Sequence, residues 1–105
     1  MAELRFSPES FRDLRDIRDY IAEELFNPTA AENTVSEILE NIQMLSRFPQ
    51  SGAPLSAVIG IETDYRFLVC GSYMAFYRVE GGTVYVVRIL YGRRNYMELL
   101  FGAQN

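Results

Sequence analysis

TVYVVRILYGRRNYMELLF, residues 83–101, is the stretch from which the fold is read. Val84, Tyr85, Val86, Val87, Ile89 and Leu90 are β-branched, aromatic or aliphatic, with no breaker among them. That pattern predicts a buried strand carrying one charge, Arg88. Gly92 ends the strand, and Arg93 and Arg94 follow. Tyr96, Met97, Leu99, Leu100 and Phe101 then suit a short docked helix. A central strand with a basic pair at its exit is the first place to look for function.

Upstream of this strand the period is two. Tyr65–Cys70 and Tyr73–Val79 read as two more strands, and Gly71-Ser72 and Gly81-Gly82 as two-residue hairpin turns in which glycine supplies positive φ. Such turns fix register, and register fixes faces. Val79 is expected opposite Val84, Tyr77 opposite Val86, Ala75 opposite Arg88, Leu68 opposite Ala75 and Arg66 opposite Tyr77. One face then holds Tyr65, Phe67, Val69, Met74, Phe76, Arg78, Tyr85, Val87 and Ile89. It is the bulkier face and is expected to pack on helices. The other gathers Arg66, Leu68, Tyr77, Val86 and Arg88, with Arg93 and Arg94 leaving the strand nearby. Uncovered and partly apolar, that face is expected to bind a partner.

The helices precede the hairpins. Glu3 to Phe6 alternates and reads as a first strand. Ser7-Pro8-Glu9 is a helix start, with Ser7 as N-cap and Pro8 where a missing N–H is harmless. Phe11, Leu14, Ile17, Ile21 and Leu25 mark one helical face. Arg12–Asp16 and Arg15–Asp19 stand four apart on the charged side, which reads as a solvated face. Asn27-Pro28 opens a second helix through Ala31, Val35, Ile38, Ile42 and Leu45, so the two form an antiparallel hairpin. Residues 49–63 read as a loop, with two prolines and two glycines.

Composition narrows the chemistry. A length of 105 residues, 49% hydrophobic and 23% charged, is one globular domain, 1–105. No apolar run approaches a membrane span, and the first ten residues lack a signal peptide's hydrophobic region. The single cysteine, Cys70, fits a reducing cytoplasm. Histidine is absent, so no histidine triad or histidine metal site can be built. All ten basic residues are arginine, so anions would be met by guanidinium forks. Residues 1–50 carry five arginines against ten carboxylates, and residues 63–105 five against three. The net charge of −4 argues against a protein that coats nucleic acid, but allows one local anion-binding patch.

The predicted order is strand, helix, helix, strand, strand, strand, short helix: an α+β fold with an N-terminal strand, a helical hairpin and a three-stranded antiparallel meander. With it come Phe-Pro-Gln-Ser-Gly (48–52), Asp-Tyr-Arg-Phe-Leu-Val (64–69), Tyr-Met-Ala-Phe-Tyr-Arg-Val (73–79) and Arg-Ile-Leu-Tyr-Gly-Arg-Arg-Asn-Tyr (88–96). The ordered set resembles the RelE/ParE superfamily of toxins from type II toxin–antitoxin modules, also called plasmid stabilisation proteins. The commoner form of the last motif has His in place of Tyr91 and Asp in place of Asn95.

The resemblance implies a small cytoplasmic toxin neutralised by a cognate antitoxin that wraps it, without metal, membrane or small-molecule cofactor. RelE-like members cut mRNA on the ribosome; ParE-like members inhibit DNA gyrase without cutting. The nuclease set transfers poorly. Arg66 and Arg94 match basic positions, with Arg93 beside the second. Leu68 and Met74 stand where other basic residues belong. The C-terminal tyrosine aligns near Leu100, and Tyr96 is the nearest tyrosine. In-line attack on a phosphodiester needs a base, an acid and charge stabilisation. Arginine supplies only the last at neutral pH. The sequence therefore favours a gyrase inhibitor, with Arg66, Leu68, Tyr77, Val86, Arg88, Arg93, Arg94 and Tyr96 as the surface for target or antitoxin. Were it a nuclease, it would be a metal-independent endoribonuclease using Arg66, Arg94 and Tyr96; a further alternative, suggested by Tyr91 and the missing basic positions, is a non-toxic family member that only binds a partner.

Overall fold

The structure, a computed structural model, describes residues 1–102. Strand β1 (Glu3–Phe6) is followed by helix α1 (Pro8–Asp19), a π-helical turn (Tyr20–Glu24) and helix α2 (Pro28–Gln43). A 3₁₀ turn (Met44–Ser46) leads to β2 (Ala53–Pro54) and the short α3 (Ser56–Ile59). The chain then forms β3 (Arg66–Cys70), β4 (Tyr73–Glu80), β5 (Thr83–Tyr91) and α4 (Tyr96–Phe101). The expected strand, helical hairpin, meander and C-terminal helix are all present. Both helix starts follow the predicted chemistry: the Ser7 side chain accepts from the Ser10 N–H, and the Asn27 side chain from the Ala30 N–H.

The meander belongs to a larger sheet. Five strands run in the order β1-β5-β4-β3-β2, with β1 parallel to β5 and the other pairs antiparallel. The region expected to be loop, 49–63, supplies β2 and α3. Both hairpins close on the predicted glycines, with Gly71 at φ 62° and Gly81 at φ 59°.

Register departs from expectation at one residue. Tyr77 pairs with Val86 as predicted, but Phe76 pairs with Arg88 and Ala75 with Ile89. Val87 is thus the extra residue of a β-bulge, which moves everything after it to the opposite face. Ile89 joins Ala75, while Arg88 and Leu90 join Phe76 and Met74.

The packing of the faces is also the reverse of the one expected. The helical hairpin (Leu14, Ile17, Ile21, Ala31, Ile38, Ile42) covers Ala75, Tyr77, Val84, Val86 and Ile89. The bulkier face is covered instead by the later segments: Phe76 and Leu90 pack with Leu55, Ile59, Tyr96, Leu99 and Leu100. Both faces are apolar because both are covered, so bulk does not identify the helical side. The hand of the crossover leaving β1, which lies parallel beside β5, is a stronger constraint.

Candidate protein-docking groove

The structure divides the predicted site residues among four places. Val86 is 1% exposed and lies under the helices with the half-buried Leu68. Tyr77, fully buried, donates its hydroxyl hydrogen to the Pro49 carbonyl at 2.8 Å and accepts from the Gly52 N–H at 3.0 Å. Arg66 Nη2 donates to the carbonyls of Gln50 (3.0 Å) and Gly52 (2.6 Å). Arg66 and Tyr77 do share a face, as predicted, but together they pin the Pro49–Gly52 segment. A Cβ on Gly52 would lie 2.5 Å from both the Phe67 carbonyl oxygen and the Tyr77 hydroxyl, so only glycine fits there.

Tyr96 turns into the second core, its ring 5.1 Å from that of Phe76. Arg88 is carried by the bulge away from Arg66 and Tyr77. Its Nε and Nη2 bind both Asp13 oxygens, at 2.8 and 2.9 Å, and this bond raises the pKa of the guanidinium. Arg93 and Arg94 are exposed and make no ion pair among the described residues. The uncovered basic face expected from the sequence is therefore not formed. Of the predicted set, only Arg94 reaches an open groove.

That groove exists because β1 is short. Ser7-Pro8 turns the chain into α1 after four strand residues, whereas β5 continues to Tyr91. Beyond Val86 no strand among the described residues lies beside the β5 edge. The Ser7 N–H donates to the Val86 carbonyl, its hydroxyl donates to the Val87 carbonyl, and the Ile89 N–H donates to Asp13 Oδ2 at 2.9 Å. In an antiparallel ladder outward-facing groups recur every second residue, so Tyr91 points its N–H the same way as Ile89. Asp13 is thus both the ion-pair partner of Arg88 and a cap on one group of an open strand edge.

Between this edge and the helical hairpin lies a groove of about 790 Å³. Its floor is Ile17, Ile21 and Ile89, and its walls carry Tyr20, Tyr73 and Tyr91. The Tyr73 and Tyr91 rings meet edge-on at 5.9 Å. Burial, with Tyr20 and Tyr91 close by, raises the Tyr73 pKa, so its phenol stays protonated at neutral pH. Asp16 and Arg94 place opposite charges on the rim. At the hairpin tip beside it, Tyr20, Leu25 and Phe26 are 53%, 55% and 88% exposed. Phe26 has φ +53°, a conformation that a bulky side chain disfavours. Aromatic rings, aliphatic floor and unpaired strand edge are the parts of a polypeptide-binding surface.

Sequence reading missed Asp13, Tyr20 and Tyr73. One signal for the groove was available: a first strand of four residues beside a last strand twice as long leaves an edge uncovered. Nothing in the helical spacing of Phe11, Leu14, Ile17, Ile21 and Leu25 marked Asp13, which flanks that apolar stripe.

Among the described residues no cluster of His, Cys, Asp or Glu is poised to hold a metal, and no helix is long and apolar enough to cross a membrane. The chain is similar to a chain in the structure of the chromosomal ParDE toxin–antitoxin system from P. aeruginosa. The two are 26% identical with a TM-score of 0.71, over 87% of this chain and 96% of that one. The toxin–antitoxin complex RelBE2 from Mycobacterium tuberculosis shares the fold, with a TM-score of 0.51 and 20% identity over 86% of this chain and 96% of that one. Among curated proteins none matches. Residues 4–96 match the family described as the ParE toxin of the type II toxin–antitoxin system parDE, and the chain belongs to that family.

Proposed function

We propose that this chain is a cytoplasmic toxin that inhibits DNA gyrase by binding it, without cutting nucleic acid, and that a cognate antitoxin neutralises it by covering the same groove. Membership of the ParE toxin family supports the target. The observation that carries the non-nucleolytic reading is the fate of the nuclease positions. Arg66 is bound to two backbone carbonyls, and Tyr96 is packed on Phe76. The groove that remains offers side chains for recognition, not a base–acid pair around a phosphate.

The test is a supercoiling assay with purified gyrase, relaxed plasmid and purified toxin, paired with primer extension on transcripts after expression. Loss of supercoiling with intact transcripts is expected. Tyr91→Arg, which puts a charge on the groove wall, is expected to weaken inhibition about tenfold or more while leaving the circular dichroism spectrum unchanged. Full supercoiling in the presence of the wild-type chain overturns the proposal. The second reading, a ribosome-dependent mRNA endonuclease, is favoured only by Arg93 and Arg94, which are exposed and make no ion pair among the described residues. It requires cleavages in the ribosomal A site that vanish in Arg94→Ala.

A further inference from the structure

Helix α1 contains a triplet repeat, Arg12-Asp13-Leu14-Arg15-Asp16-Ile17-Arg18-Asp19. A step of three residues advances about 300° round a helix, so like residues drift by only about 60° per repeat. The arginines therefore form one stripe and the aspartates another, on opposite sides of the buried apolar face. The structure uses the two stripes differently. Asp13 and Asp16 line the groove at the β5 edge. Arg12, Arg15 and Arg18 line a separate recess of about 260 Å³ between α1 and α2. Phe11, Leu14 and Val35 supply its apolar part.

The pairing expected along a solvated helix is absent here. Neither Arg12–Asp16 nor Arg15–Asp19 forms; Arg18 meets Asp19 at 3.5 Å, with both about half exposed. Arg12 and Arg15 make no ion pair or hydrogen bond among the described residues. Phe11 is 58% exposed, held by a stacked contact with Phe6 at 5.3 Å. Guanidinium groups around an apolar patch, with Phe11 as its one aromatic ring, complement a segment that carries carboxylates beside an apolar anchor. Nucleic acid fits worse, because the rest of the molecule is acidic and the net charge is −4.

We infer that this recess is a second anchor for the antitoxin, occupied by an acidic segment with one apolar side chain. The inference rests on the toxin reading above. The arginine stripe calls for an acidic occupant, and the similar ParDE structure is itself a toxin–antitoxin system, so that occupant is assigned to the antitoxin. Gripping both flanks of α1 ties two weak contacts into one strong one by effective concentration.

The test compares the wild-type chain with Arg12→Gln/Arg15→Gln, an exposed pair of changes that keeps helix propensity. Three probes are used: the protein encoded beside this one, a 12-residue peptide of alternating Glu and Leu, and a 12-base-pair DNA duplex. Expected are binding of the neighbouring protein weakened about tenfold in the variant with a shallower salt dependence, peptide binding lost with it, and gyrase inhibition and melting temperature unchanged. Equal affinity and equal salt slope for the variant overturn the inference. Duplex bound more tightly than peptide overturns the choice of occupant. A wild-type chain that binds no neighbouring protein fails the toxin reading instead, and the peptide arm then decides whether the recess reads acidic segments.

Discussion

Phe26 shows what a single residue can reveal. It ends a π-helical turn closed by the Leu25 N–H on the Tyr20 carbonyl and the Asn27 N–H on the Ile21 carbonyl. The position needs left-handed backbone, which glycine or asparagine adopts at less cost than phenylalanine. Phe26→Asn is expected to raise stability by about 0.5–1 kcal/mol in urea denaturation; unchanged or lower stability would remove the strain argument. Gly52 is the opposite case, where a methyl has no room. Gly52→Ala is expected to cost about 2 kcal/mol or more, because the nearest atoms are backbone and a pinned tyrosine. Cys70, 3% exposed, is a buried thiol, and burial pushes it up to about 11. The unfolded thiol ionises first, near pH 8.5, so the folded state binds more protons between the two values. Stability from this group is fully present below pH 8.5 and is lost as pH rises through about 11, by up to about 3 kcal/mol. Denaturation at stepped pH should show this slope in the wild type and a flatter one in Cys70→Ala.

At the scale of elements, the unequal lengths of β1 and β5 open the candidate docking groove. Asp13 repairs the exposed edge with three hydrogen bonds, two from Arg88 and one from the Ile89 N–H. Asp13→Ala would leave a mostly buried guanidinium and a backbone donor unpaired. Its expected cost is about 3 kcal/mol, with hydrogen exchange at Ile89 accelerated. Asp13→Asn, which keeps an acceptor for the amide, is expected to cost less. Equal losses in both would show that the ion pair alone matters. The C-terminal helix has a packing role: Tyr96, Leu99 and Leu100 seal the sheet face opposite the helical hairpin. That is why the tyrosine nearest the nuclease position is not free for chemistry.

For the whole molecule, the segregation of charge matters more than its sum. The helical half is acidic, yet α1 carries an arginine stripe on one flank and an aspartate stripe on the other. A partner reading one flank is guided by a sign opposite to that of a partner reading the other. Raising salt from 50 to 300 mM is therefore expected to weaken antitoxin binding through the arginine recess more than it weakens gyrase inhibition through the largely apolar groove. Titration of both activities against salt checks this; parallel loss would mean that the arginine recess adds nothing to antitoxin binding.

The sequence by itself determined the elements and their order, because those are set by local physics. Ser7-Pro8 and Asn27-Pro28 start helices by satisfying free amides, and two-residue glycine turns close hairpins whatever surrounds them. It determined the pairings nearest those turns for the same reason, and the family followed from the ordered motifs. Which residues make the site was decided only in the tertiary structure. One unpaired residue, Val87, reassigns Arg88, and a bulge leaves no mark in a run of β-branched side chains. The covered face of the sheet was equally hidden, since a sheet packed on both sides is apolar on both. Arg66 and Tyr77 were found, but their partners lie up to 28 residues away along the chain, on the Pro49–Gly52 segment. Whether an arginine meets a phosphate or a carbonyl depends on which backbone arrives beside it, and only the folded chain settles that.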